Sequence, residues 1–228
     1  MRIILIVCAA ALIAMTQSGC GSSKSDAPAA KVEEAPAKAA PAVDSRPAIV
    51  AFGDSLTAGF GAEPGNSYPD FLQKELDHAG LAWRVVNFGV SGDTTTDGAN
   101  RVSEVLAAKP RVVILEFGGN DGLRGLPIET TKANLEQMIV ELQKSGASVI
   151  LAGMTLPPNY GPDYIRGFER VYQDLAVKYK LVRIPFLLEG VATNRSLMQR
   201  DGIHPTGPGN AKVAATVMRY VGPAVARK

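Results

Sequence analysis

The chain has 228 residues, a formal net charge of +2, two cysteines and two histidines. With so little net charge and no dense Lys/Arg run, nothing predicts nucleic-acid binding. Cys8 lies in an apolar leader, so the mature chain keeps at most Cys20, which excludes an intramolecular disulfide and a cysteine-based metal cluster.

The first 47 residues read as something other than folded domain. Met1 and Arg2 precede an apolar run over 3–15. As a helix that run covers roughly 20 Å, against a hydrocarbon core of about 30 Å, which is short for a span. A basic start, a short apolar run and then Gln17-Ser18-Gly19-Cys20 read as a bacterial export signal over 1–20, placing the protein in the cell envelope or periplasm. Small residues before a lone cysteine resemble a lipobox, although Gln17 stands where that pattern prefers Leu. Two outcomes stay open: lipidation of Cys20 as the first mature residue, giving a membrane-anchored lipoprotein, or ordinary cleavage with Cys20 incidental.

Residues 21–47 are rich in Ala, Pro, Ser, Lys and Glu and hold no aromatic residue. Such a segment cannot bury enough apolar surface to offset the entropy of ordering, so it reads as a disordered tether. Residues 48–228 remain, enough for one domain with a full core.

Within that domain short apolar runs alternate with amphipathic stretches. Strands are expected at 49–52, 84–88, 112–117, 148–154 and 181–184. The first, third and fourth are nearly continuous apolar runs, as in strands covered on both faces. Helices are expected at 68–78, 95–108, 129–145, 165–180 and 209–221. This alternation predicts a three-layer α/β/α sandwich around a mainly parallel five-stranded sheet.

In open parallel sheets ligands bind outside the carboxyl ends of the strands. Four segments fall there: Gly53-Asp54-Ser55-Leu56, Gly89-Val90-Ser91-Gly92-Asp93, Gly118-Gly119-Asn120-Asp121 and, before the last helix, Asp201-Gly202-Ile203-His204-Pro205. Covalent ester hydrolysis needs a nucleophile beside a base, a group orienting the base, and donors for the developing oxyanion. Ser55, opening a helical turn after Gly53, suits the nucleophile, although the local sequence is not GxSxG. Of the two histidines, His78 falls near the end of a helix, where a surface or capping role suits it. His204 sits in a loop of Asp, Gly and Pro, with Asp201 placed to accept its Nδ1–H and aim Nε2 at Ser55. The plainer readings are a helix-entry histidine and an Asp-Gly turn. Candidate oxyanion donors are the backbone N–H groups of Ser55 and Gly92 and the side-chain amide of Asn120. A glycine turn and a capping Asn are their plainer readings.

Together these segments resemble the SGNH, or GDSL, hydrolase superfamily. Its four blocks appear in order as FGDSLTAGFG at 52–61, NFGVSGDTT at 87–95, FGGNDGLRG at 117–125 and DGIHPT at 201–206. The wording is most similar to the branch holding bacterial acyl-CoA thioesterase I, lysophospholipase L1 and arylesterases. The resemblance implies a flavodoxin-like fold and no metal or organic cofactor. It implies Ser55 as nucleophile, Asp201 and His204 as the rest of a triad, and Ser55, Gly92 and Asn120 as the oxyanion hole. Asp54 belongs to the motif and is expected to accept backbone N–H bonds at the turn. The loop at 156–164 is expected to face substrate, with Leu156 and Tyr160 as binding residues; a plain connection is the alternative.

The expected activity is therefore hydrolysis of a small-molecule acyl ester or thioester through an acyl-Ser55 intermediate. Two alternatives remain: a carbohydrate O-acetyl esterase, and an inactive cell-surface binding module.

Overall fold

The structure is a computed structural model that describes residues 44–226. The export signal, Cys20 and nearly all of the expected tether lie outside the described residues.

Five strands form one parallel sheet: β1 (Ala48–Gly53), β2 (Arg84–Gly89), β3 (Val112–Glu116), β4 (Ser148–Ala152) and β5 (Val182–Ile184), in the order β2-β1-β3-β4-β5. The central strands β1 and β3 are buried along their whole length, as their apolar runs require. Seven α-helices accompany the sheet among the described residues: α1 (Ser55–Ala58), α2 (Tyr68–His78), α3 (Thr95–Ala107), α4 (Gly119–Leu123), α5 (Ile128–Lys144), α6 (Pro162–Tyr179) and α7 (Gly207–Val225). The chain passes from β1 outward to β2 and then returns across β1 to β3. Right-handed crossovers therefore place α2 on one face and α3, α5 and α6 on the other. Accordingly α2 packs on α7, while α3 packs on α5 and α5 on α6.

The helix starts are chemically marked. Ser67 caps α2 and Thr94 caps α3, each in a reciprocal box with Asp70 or Asp97. The departures from the sequence expectation are short. β3 and β4 end before Phe117 and Gly153, where the backbone leaves the ladder to build the site loops. α6 starts at Pro162, because proline is pre-set for a first helical turn, and α7 starts after the Thr206 cap. The short α4 forms where the sequence predicts a loop, since five residues with two glycines carry no helical period.

Candidate active site

The first site loop leaves β1 at Gly53. Asp54 Oδ1 accepts the N–H of Leu56 at 3.0 Å and caps α1, whose first residue is Ser55. The Ser55 N–H therefore has no partner within the helix. Asp54 is only 2% exposed. Burial lifts its carboxyl to about 6, against the opposing pull of the Leu56 N–H and the Asn120 amide.

The last loop enters from the other side of the sequence and meets Ser55. His204 Nε2 lies 2.9 Å from Ser55 Oγ, and His204 Nδ1 lies 2.7 Å from Asp201 Oδ2. The other oxygen of Asp201 accepts the backbone N–H groups of Ile203 at 2.9 Å and His204 at 3.1 Å. Partial burial pulls the Asp201 carboxyl upward, but the bonds from the His204 ring and from these amides outweigh it and hold the group below its ordinary value. An ionised Asp201 accepts from Nδ1–H, which leaves the Nε2 lone pair facing the serine hydroxyl. The loop is tied down by Gln199, whose N–H donates to the His204 carbonyl at 2.8 Å. Its side-chain amide donates to the carbonyls of Phe60 at 2.6 Å and Pro205 at 2.9 Å. The exposed Phe60 ring lies against the imidazole, with centroids 4.6 Å apart.

The two remaining loops meet at Asn120. Its Nδ2 donates to the Asp93 carbonyl at 2.9 Å and to Asp54 Oδ2 at 3.1 Å. The first bond sets residues 92 and 93 beside Asn120. Gly92 has φ +91°, a left-handed conformation that favours glycine, and its carbonyl accepts from Arg124 at 3.0 Å. Among the described residues no hydrogen bond takes the Gly92 N–H. Asp121, fully buried, accepts the N–H of Thr95 at 2.9 Å and so fastens α4 to the start of α3. Arg101 in α3 fastens the second loop to the first, donating to Asp93 Oδ2, the Phe88 carbonyl and the Gly53 carbonyl.

Ser55, Asn120 and His204 open on a cavity of about 450 Å³. Its wall is largely apolar and includes Leu123, Met154, Leu156, Phe186, Leu188 and Met198. Leu156, expected to face substrate, is part of this wall. Tyr160 does not line this cavity. The loop folds into a 3₁₀ turn at Pro158–Tyr160, and the tyrosine hydroxyl donates to the Leu123 carbonyl at 2.7 Å, bracing the wall from behind. Gly92 also lies outside the wall and is exposed. His78 sits exposed in the last turn of α2.

Several site residues were missed by the sequence reading. The apolar wall comes from four separate stretches of chain, and no local pattern links Met154 to Met198. Glu116 did leave a signal: a lone acid inside the otherwise apolar run 112–117.

Residues 51–212 match the model of the family described as GDSL-like Lipase/Acylhydrolase. The chain is 44% identical over 158 residues to Esterase TesA of Pseudomonas aeruginosa, covering 69% of this chain and 79% of that protein. It is 34% identical over 178 residues to Thioesterase 1/protease 1/lysophospholipase L1 of Escherichia coli K12, covering 78% of this chain and 84% of that one. A crystal structure of TesA superposes with a TM-score of 0.75 at 41% identity, covering 77% of this chain and 98% of that chain.

Proposed function

The chain belongs to the GDSL-like lipase/acylhydrolase family and hydrolyses carboxylic esters, and from that premise we propose that it works through an acyl-Ser55 intermediate formed with His204 and Asp201. The observation that carries this reading is the unbroken chain Ser55 Oγ, His204 Nε2, His204 Nδ1, Asp201 Oδ2, with links of 2.9 and 2.7 Å. His204 takes the serine proton as Oγ attacks the ester carbonyl, then returns it to the departing alkoxide or thiolate. Water repeats the sequence on the acyl-enzyme, and Asp201 holds the ring and its imidazolium form throughout. The oxyanion is received by the N–H groups of Ser55 and Gly92 and by Asn120 Nδ2, which turns one hydrogen from Asp54 to the substrate.

The apolar cavity takes the acyl chain, and the leaving group departs over the open rim beside Phe60. The substrates are esters or thioesters with chains longer than acetyl, which the cavity wall favours over a carbohydrate acetate. A panel of nitrophenyl esters from acetate upward, run on wild type and on Ser55→Ala, tests both points. Turnover should favour chains beyond acetyl, and Ser55→Ala should lose activity by a factor on the order of 10⁴ while staying folded. A folded Ser55→Ala with undiminished turnover rejects the nucleophile, and a preference for acetate rejects the acyl reading.

The same proposal includes export. Residues 1–20 hold the signal with its lipobox, Cys20 carries the lipid as the first mature residue, and 21–47 tether the domain to a membrane surface. Its support is the basic start, the apolar run and the Ser-Gly-Cys sequence. Mass spectrometry of the mature N-terminus decides it: an acylated Cys20 is expected, and an unmodified end elsewhere overturns the anchor.

A further inference from the structure

Beneath the nucleophile lies an acidic side chain that the reaction above does not use. Glu116 ends β3, paired in register with Gly53, and is fully buried. Its carboxyl occupies the space that a side chain at position 53 would fill, since a Cβ there would stand 2.4 Å from Glu116 Oε2. Oε2 receives the backbone N–H of Asp54 at 3.2 Å and contacts Thr57 Oγ1 at 2.8 Å. Thr57 Oγ1 lies 3.1 Å from the buried Tyr68 hydroxyl of α2. The carboxyl therefore holds the residues on both sides of Ser55. Oε1 has no hydrogen-bond partner. Among the described residues no Lys, Arg or His lies within ion-pair distance of Glu116. Arg101, a cation of the site, is engaged by Asp93 and two carbonyls.

We propose that Glu116 works as an un-ionised carboxylic acid, a positioning residue that fixes the nucleophile turn without placing a charge under it. This rests on Ser55 being the nucleophile. An ionised carboxylate with one oxygen bare and no ion-pair partner is among the costliest groups to bury, whereas a bare carbonyl oxygen of a neutral acid costs far less. Its proton sits on Oε2 and is shared with Thr57 Oγ1, a hydroxyl free to rotate. The groups facing it agree. Asp54 from the turn brings a like charge, while Tyr68 from α2 and Tyr172 from α6 are neutral phenols. Burial first, and the Asp54 charge second, push the Glu116 carboxyl well above the ordinary carboxylate range, and the hydrogen bonds that Thr57 and Asp54 offer to its ionised form offset only part of this. Neutrality has a consequence for the reaction. The tetrahedral intermediate is an anion, and a second fixed negative charge beside Asp54 would oppose its formation.

Infrared difference spectra of the full chain, wild type against Glu116→Gln at neutral pH, test the proton directly. A carbonyl stretch of an un-ionised carboxyl is expected in wild type and in Ser55→Ala, and lost in Glu116→Gln. Glu116→Gln, which keeps the shape and an acceptor, should hold kcat within about threefold of wild type, whereas Glu116→Ala frees the turn and should lower kcat by about ten- to a hundredfold with KM unchanged. Absence of the band, or a folded Glu116→Gln as impaired as Glu116→Ala, overturns the inference. If Glu116→Ala does not fold, the Gln variant and the spectrum decide alone. An active Ser55→Ala that keeps the band would instead overturn the nucleophile and leave the neutral acid standing.

Discussion

The loop that carries Ser55 is buried, and the loop that carries His204 is exposed. Asp54, Leu56 and Thr57 are all buried around the serine, whereas Arg200, Asp201, Gly202 and Ile203 face solvent around the histidine. The first is built on the central strand of the sheet, with a capped helical turn above it and a buried carboxyl below. The second hangs between a bridge at Met198 and Pro205 and the start of α7, shaped by hydrogen bonds from Gln199 and to Asp201. The proposed nucleophile, Ser55, is thus placed by the core and the proposed base, His204, by its own loop. Damage near Ser55 should therefore register in both stability and turnover, and damage near His204 in turnover alone.

The largest test of that contrast lies at Asn120, which joins the buried Ser55 loop to the loop of Asp93. Asn120→Ala should lower kcat by a factor on the order of 10²–10³, the usual loss when an oxyanion donor is removed. Steady-state kinetics on one nitrophenyl ester measures it, and a loss confined to KM would assign Asn120 to substrate binding instead.

A test of intermediate size concerns Asp54, the buried carboxyl beside the serine. The Asp54 carboxyl rises from an ordinary 3.8 to about 6 in the fold. Between those values the folded chain holds a proton that the unfolded chain releases. The stability from this group is complete below the unfolded value and is lost as pH rises through about 6. The change is on the order of 2–3 kcal/mol. Asp54→Asn should flatten that part of the curve, measured as urea midpoints from acid to neutral pH. An unchanged pH dependence would place the proton on another group.

The smallest effect is expected in the exposed loop. Gln199→Ala removes the two side-chain bonds to Phe60 and Pro205, worth about 1 kcal/mol, so turnover should fall roughly fivefold while the melting temperature stays near wild type. A large drop in melting temperature would show that the base loop belongs to the core after all.

Much of this was readable in the chain. The strand runs at 49–52 and 112–117 and the turn chemistry after them mark where the sheet ends and where its loops begin. With only two histidines present, one of them on a helix face, the base followed almost by elimination. Tyr160 lies elsewhere because aromatic residues in a loop signal only that something is covered; here the side chain packs on the core and its hydroxyl holds the Leu123 carbonyl.

Local chemistry thus determined the alternation of strands and helices, the four loops at one sheet edge and the residue types able to run acyl chemistry. Those features depend on neighbours a few positions away, through periodicity, capping and the freedom of glycine. The tertiary structure alone decided that Ser55 Oγ and His204 Nε2 meet at 2.9 Å, that the apolar cavity wall draws on Leu123, Met154, Phe186 and Met198, and that Glu116 lies buried beneath the serine. Burial and long-range contact are properties of the packed whole, and no window of sequence contains them.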